Sequence, residues 1–153
     1  MKVERITQIN HPLYKTAMDL YHISFPYHEQ REALSQSLIL ENRNYHFDVF
    51  FDQNQFIGEA LYWEIEDYLY IKHLCVNPDM RNKHYGQQIL NLLQVNQLIL
   101  EINPTIDEIS RRKKSFYERC GFMENPYHHV HPSYHHDYSG HELIVMSSPK
   151  KLC

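Results

Sequence analysis

The chain reads as an α/β protein built on one central mixed sheet, mostly antiparallel, with a single parallel βαβ crossover and flanking helices. Three observations predict this. Two strand-like runs, Tyr45–Phe51 and Phe56–Ile65, are joined by the polar stretch Asp52-Gln53-Asn54-Gln55, which makes an antiparallel hairpin with a four-residue turn. Tyr68–Val76, an apolar helical pattern from about Tyr85, and Gln97–Ile102 form a strand–helix–strand unit, which crosses over right-handed and leaves its strands parallel. Two further short strands, Tyr127–His131 and Glu142–Met146, follow late in the chain.

Each element has its own local reason. Met1–Asn10 alternates at Val3, Ile6 and Ile9, which suits an opening strand broken by His11-Pro12. Tyr14, Ala17, Met18, Tyr21 and His22 recur at helical spacing up to Phe25-Pro26, and a second helix is expected over Glu29–Leu38. Gly58 inside its strand points to a bulge or a close backbone contact. Glu66-Asp67 turns the chain, and Asn77-Pro78-Asp79 ends the strand that carries Ile71–Val76. Ile89, Leu90 and Leu93 give the crossover helix its apolar side. Thr105-x-x-Glu108 has the form of a capping box opening a helix with Ile109, Phe116 and Cys120 on one side and Arg111, Arg112, Lys113 and Lys114 exposed. Gly121 ends that helix.

Composition bounds the rest. At 153 residues, with 42% hydrophobic and 22% charged, the chain suits a single domain spanning 1–153 with a real core. A formal charge of −4 argues against broad phosphate neutralisation, so no nucleic-acid partner is expected. No apolar run approaches the ~18 residues of a span, so no membrane partner is expected either. Cys75, Cys120 and Cys153 are scattered without a CxxC pair, which fits reduced thiols and a cytoplasmic setting.

Function-bearing residues concentrate between the crossover strand and its helix. Arg81-Asn82-Lys83-His84-Tyr85-Gly86-Gln87 places two cations and a glycine at a helix mouth, where free N–H groups and the dipole favour an anion. Val76-x-Pro78-x-x-Arg81-x-Lys83-x-x-Gly86 resembles the acyl-CoA-binding motif of the GNAT family of N-acetyltransferases, written Q/R-x-x-G-x-G/A, with His84 in place of the middle glycine. The resemblance implies the acyl-CoA N-acyltransferase fold, acetyl-CoA (coenzyme A) as cofactor, and a pyrophosphate held by the backbone of Arg81–Gln87. It also implies that the strand carrying Leu74, Cys75 and Val76 splays to admit the pantetheine arm and offers N–H donors to a developing oxyanion.

A second motif supports the first. Phe116-Tyr117-x-x-x-Gly121-Phe122 resembles the family's aromatic pair before a Gly-Phe turn, which implies that Tyr117 protonates the departing thiolate. Ser110 falls where relatives often place a cofactor-contacting Asn. An acceptor amine must also lose a proton, and Glu101 matches the position that serves as base in some members, with His73, Glu64 and Glu66 as rivals. Phe25, Tyr27, His28 and Arg31 lie in the segment that shapes the acceptor pocket in the family.

Asn125–His141 carries six histidines and three tyrosines. Without clean ligand spacing or Cys partners it reads as a loop over the acceptor cleft, and no metal is expected. The partner implied is a small-molecule or peptide amine, and a homodimer is held open. The rival readings are a non-catalytic acyl-CoA sensor and a His-rich metal-binding protein.

Overall fold

The computed structural model describes residues 1–135 and 141–149, with backbone alone at 127–131 and 141. A seven-stranded sheet runs in the order β1-β2-β3-β4-β5-β7-β6. Its strands are β1 (Lys2–Arg5), β2 (Tyr45–Asp52), β3 (Gln55–Ile65), β4 (Tyr68–Val76), β5 (Gln97–Ile102), β6 (Met123–His131) and β7 (His141–Ser148). The β4–β5 pair is parallel and every other pair is antiparallel, as the crossover and the hairpins predict. The helices are α1 (Tyr14–Ser24), α2 (Ala33–Ile39), α3 (Tyr85–Leu93) and α4 (Glu108–Arg119).

Two apolar layers hold the sheet. On one face Ile89, Leu90 and Leu93 of α3 pack with Ile71, Leu98, Leu100 and Phe122. On the other, Ala17, Met18 and Tyr21 of α1 pack with Phe47, Val49 and Leu61. Each fully buried aliphatic side chain contributes about 1.5–3 kcal/mol. That far exceeds what local capping supplies, so α3 is held by packing.

Several expectations are corrected locally. The opening strand stops at Arg5, because Ile6 turns in to bond Phe47 and is buried. The hairpin turn has two residues, not four: Asp52 pairs with Gln55, and Gln53 and Asn54 both take positive φ, the type I′ geometry that matches strand twist. The expected helix from Glu29 begins only at Ala33. A short 3-10 helix at Tyr27–Glu29 is followed by an extended Gln30 and Glu32, and the Arg31 N–H donates to the Tyr21 hydroxyl at 2.8 Å.

The α4 cap lies two residues later than Thr105. Asp107 accepts from the Ser110 N–H at 2.7 Å and Ser110 Oγ accepts from the Asp107 N–H at 3.3 Å, so Ser110 serves the cap. This register leaves Ile109 69% exposed, off the apolar side expected for it. At the other end Gly121, at φ 94°, closes a Schellman turn, with its N–H bonded to Glu118 and the Phe122 N–H to Tyr117. Both last strands begin earlier than expected; β6 ends at His131 as expected, β7 runs two residues further to Ser148, and their pairing has an irregularity between Glu124 and His128.

Candidate active site

The β4–β5 ladder is the origin of the site. Its parallel register runs from Tyr68↔Gln97 to Ile71↔Leu100 and stops there. One cause is a bulge. Against β3, Leu61 pairs with His73 and Tyr62 with Ile71, so Lys72 is an extra residue that bends β4 away. Beyond Ile71, β4 stays paired with β3 up to Val76 but leaves β5. Gly58 permits that pairing at close range, since an added Cβ would overlap the Cys75 carbonyl oxygen.

The gap opens into a cleft of about 330 Å³ lined by Leu74, Glu101 and Tyr117, with Phe25, Glu29, Lys72, His73, Asn103 and Tyr134 among its walls. Tyr117 is half-buried, and its ring packs edge-on against Phe116 at 5.2 Å and Phe122 at 5.5 Å. Burial pushes its hydroxyl pKa well up, helped by the nearby Cys120 and Cys75 thiols, so the phenol keeps its proton. Glu101 sits on β5 one residue past the last rung.

The opposite wall is aromatic and charged. His73 is buried, donates through Nε2 to the Glu29 carbonyl at 2.8 Å, and packs edge-on with Tyr21 and Phe25. Lys72 lies 4.8 Å over the Tyr70 ring and 5.8 Å from the Tyr134 ring. Burial, then the Arg31 charge, lowers its pKa to about 8. Arg31 stacks over Tyr45 and Tyr134 at 5.6 and 5.2 Å and bonds Gln36 at 3.2 Å. Asn103 donates to Glu29 at 3.2 Å.

At the far end of β4 the chain passes through a short 3-10 helix, Pro78–Met80, into α3. Asn82 and His84 both hold φ 63°, the left-handed region. Glycine is the natural residue there, and His84 holds the conformation at a strain cost of about 1 kcal/mol. His84 is the N-cap of α3 and makes no side-chain cap, so the N–H groups of the first turn face outward. Gly86 also meets a helix contact: an added Cβ would sit 3.1 Å from the Phe116 ring, so the glycine lets α3 approach α4 closely. The Tyr85 hydroxyl is turned to Asp52 at 2.8 Å. Arg81, Asn82, Lys83 and Gln87 are exposed around this mouth.

The structure thus brings Tyr117, Glu101, Leu74 and Phe25 to one cleft and sets Arg31 behind Tyr134. Cys75 is buried beside Glu59, while Val76 packs against the α3 layer. Tyr27 and His28 are exposed, and Glu29 holds the wall position instead. Glu64 bonds His46 and Glu66 sits in a turn at φ 52°, so neither rival base reaches the cleft, whereas His73 does. Arg112 and Lys113 of the basic helix face also line it, while Lys114 pairs with Glu124 at 2.8 Å. Of the six tail histidines only His135 has a described side chain; His128, His129, His131, His136 and His141 lie outside the described residues for that purpose. Lys72 and Tyr134 escape sequence reading, one as a bulge inside an apolar strand and the other in a loop.

Residues 43–124 match a family model described as an acetyltransferase (GNAT) domain. A structure from Bacteroides thetaiotaomicron, titled as a GNAT-family acetyltransferase assigned by inference, superposes with TM-score 0.90 at 27% identity, covering 100% of this chain and 89% of that one. The Escherichia coli ribosomal-protein-S18-alanine N-acetyltransferase shares the fold at TM-score 0.66 and 17% identity, over 99% and 95% of the two chains. An aminoglycoside 6'-N-acetyltransferase complexed with coenzyme A does so at TM-score 0.67 and 15% identity, over 100% and 99%. No curated protein matches the chain significantly.

Proposed function

The chain belongs to the GNAT acetyltransferase family, and we propose that it is an N-acetyltransferase acting on a primary amine of a small molecule or peptide, with Tyr117 as the acid. Members of this family bind coenzyme A or acetyl-CoA, and the residues present fit that cofactor. An α3 N-terminus without a side-chain cap, flanked by Arg81 and Lys83, suits a pyrophosphate, and the cleft between β4 and β5 suits an extended arm. The observation that carries the reading is that Tyr117, Glu101 and Leu74 line one cleft, opening where the β4–β5 ladder stops.

Acetyl-CoA supplies an acetyl group activated as a thioester. The β4 backbone at Leu74–Val76, released from β5, offers N–H groups toward the carbonyl oxygen as it gains charge. An alkylamine of pKa about 10.4 is neutral in only about one molecule in a few thousand at pH 7, a deficit of roughly 4–5 kcal/mol. Glu101 accepts the excess proton, and Tyr117 Oη delivers its own to the sulfur as the C–S bond breaks. Phe25 and Arg31 shape the acceptor side, and Arg81–Gln87 hold the cofactor's phosphates. Three scattered cysteines, with Cys75 and Cys120 free, support a cytoplasmic setting for a domain of 1–153.

The test is thiol release from acetyl-CoA over a panel of spermidine, kanamycin, an alanine-terminated peptide and a lysine-containing peptide. Release with at least one amine, lost in Tyr117→Phe, supports the reading. Tight acetyl-CoA binding with no release from any amine would replace it with a sensor of the same fold.

A further inference from the structure

The short segment after β6 meets the acceptor side of the cleft through two adjacent residues with different tasks. Ser133 Oγ donates to the His135 carbonyl at 2.7 Å and accepts from the His135 N–H at 3.0 Å, which folds 133–135 into a tight turn. Tyr134 lines the cleft, its ring 6.3 Å from His73 and near the Lys72 and Arg31 cations. His135, only 5% exposed, is fastened to the stretch between α1 and α2. Its ring stacks on Tyr27 at 3.9 Å and 12°, Nδ1 bonds the Glu32 carboxylate, and Nε2 lies 2.9 Å from the Tyr27 carbonyl.

The chemistry of that fastening restricts its protonation state. A carboxylate oxygen and a backbone carbonyl accept hydrogen bonds and cannot donate. A neutral imidazole has one donor nitrogen and one acceptor nitrogen, so it can serve only one of them. Both bonds form together only when the ring is an imidazolium. The groups facing it agree: Glu32 supplies the opposite charge from the extended stretch before α2, and Tyr27 of the 3-10 helix supplies a π-face. The Glu32 hydrogen bond holds the His135 pKa above its ordinary value, against a smaller opposing effect of burial.

We propose that His135, doubly protonated, is a positioning residue for the acceptor: it ties the 133–135 turn to Tyr27 and Glu32 and so seats Tyr134 in the cleft wall. The proposal rests on the acceptor reading of this cleft. The sign follows from linkage. A histidine whose pKa is raised on folding stabilises the fastened form fully below its unfolded value of about 6.5 and loses that contribution as pH rises through the raised folded value. Acceptor recognition therefore weakens toward alkaline pH for a reason separate from the acceptor's own titration.

Two measurements on the full chain decide it. Long-range ¹H–¹⁵N spectra of labelled protein, with His135 assigned by His135→Gln, should show both ring nitrogens protonated at about pH 6.5 and a midpoint above that reference value. Glu32→Gln should lower the midpoint, and the Tyr134 ring signals should titrate with it in the unsubstituted chain and stop doing so in His135→Gln. A neutral single tautomer at pH 6, or Tyr134 signals indifferent to His135, overturns the proposal.

The kinetic arm uses whichever of the four panel amines releases thiol fastest. The ratio of its KM in His135→Gln to that in the unsubstituted chain cancels the amine's own protonation. It should be on the order of tenfold below the His135 midpoint and fall to one above it, with kcat and acetyl-CoA affinity nearly unchanged. A ratio independent of pH, or equal losses in kcat, would reduce His135 to a structural residue. Silence from all four amines would remove the acetyltransferase reading, and the spectra alone would then judge whether the histidine seats Tyr134.

Discussion

A phenol gives up its proton reluctantly at neutral pH, and burial makes Tyr117 more reluctant still. The proposed acid therefore carries its proton in the resting site, while the same raised pKa reduces the driving force for handing it to a thiolate. Tyr117→Phe should lower kcat by about 10²-fold or more while acetyl-CoA affinity, measured by calorimetry, changes little. The hydroxyl has no hydrogen-bond partner among the described residues, so Tm should also be nearly unchanged. Glu59 presents the opposite case. It is fully buried on β3, neither carboxyl oxygen has a hydrogen-bond partner among the described residues, and burial raises its pKa well above normal. The folded chain holds that proton where the unfolded chain has lost it, so stability falls as pH rises above about 4.3, until the raised folded value is passed. Glu59→Gln should therefore raise Tm at pH 8 and do much less at pH 4. An equal shift at both would place the effect in packing.

The loop before α3 shows how an element tolerates a poor residue. Three buried anchors, Ile89, Leu90 and Leu93, contribute several times the strain of about 1 kcal/mol at His84. The helix thus stays in place while its first turn remains uncapped for a ligand. His84→Gly should relieve the left-handed backbone and raise stability by about 0.5–1 kcal/mol in urea titration, with acetyl-CoA affinity kept or improved. A loss of affinity would mean that the imidazole itself contacts the cofactor. Gly86 is the less discriminating site to alter, because any side chain there also strikes the Phe116 ring.

The molecule as a whole gathers its site by bending one strand. The bulge at Lys72 opens the sheet at its middle, and both helical layers contribute to the gap: Tyr117 from α4 and Phe25 just after α1. A ligand filling such a gap binds the folded state alone, so acetyl-CoA should raise Tm with concentration, by the equivalent of ~2.7 kcal/mol at a hundred times its Kd. Both layers are packed from apolar side chains, and among the described residues no cluster of three or more His, Cys, Asp or Glu could hold a metal. Incubation with EDTA should leave both Tm and thiol release unchanged. Activity lost to the chelator and restored by zinc would assign the tail histidines a metal after all.

Periodicity and turn chemistry were enough to determine the elements and their order, because each depends on neighbours within a few residues. The Arg81–Gly86 and Phe116–Phe122 patterns were legible for the same reason: a helix mouth and a Schellman turn are local structures. The tertiary structure decided what depends on partners far along the chain. It placed the α4 cap at Asp107 and broke the expected Glu29–Leu38 helix, where the Arg31 N–H finds Tyr21. It put Lys72 on a bulge visible only against β3, and it brought Tyr134 to His73 across 61 positions, as 134 − 73. It also added a contact at Gly86, where a side chain would press on an aromatic ring thirty residues away on another helix (116 − 86). A cleft between two strands and two helices is set by which surfaces meet, and that information lies in packing complementarity, which no short stretch of sequence carries.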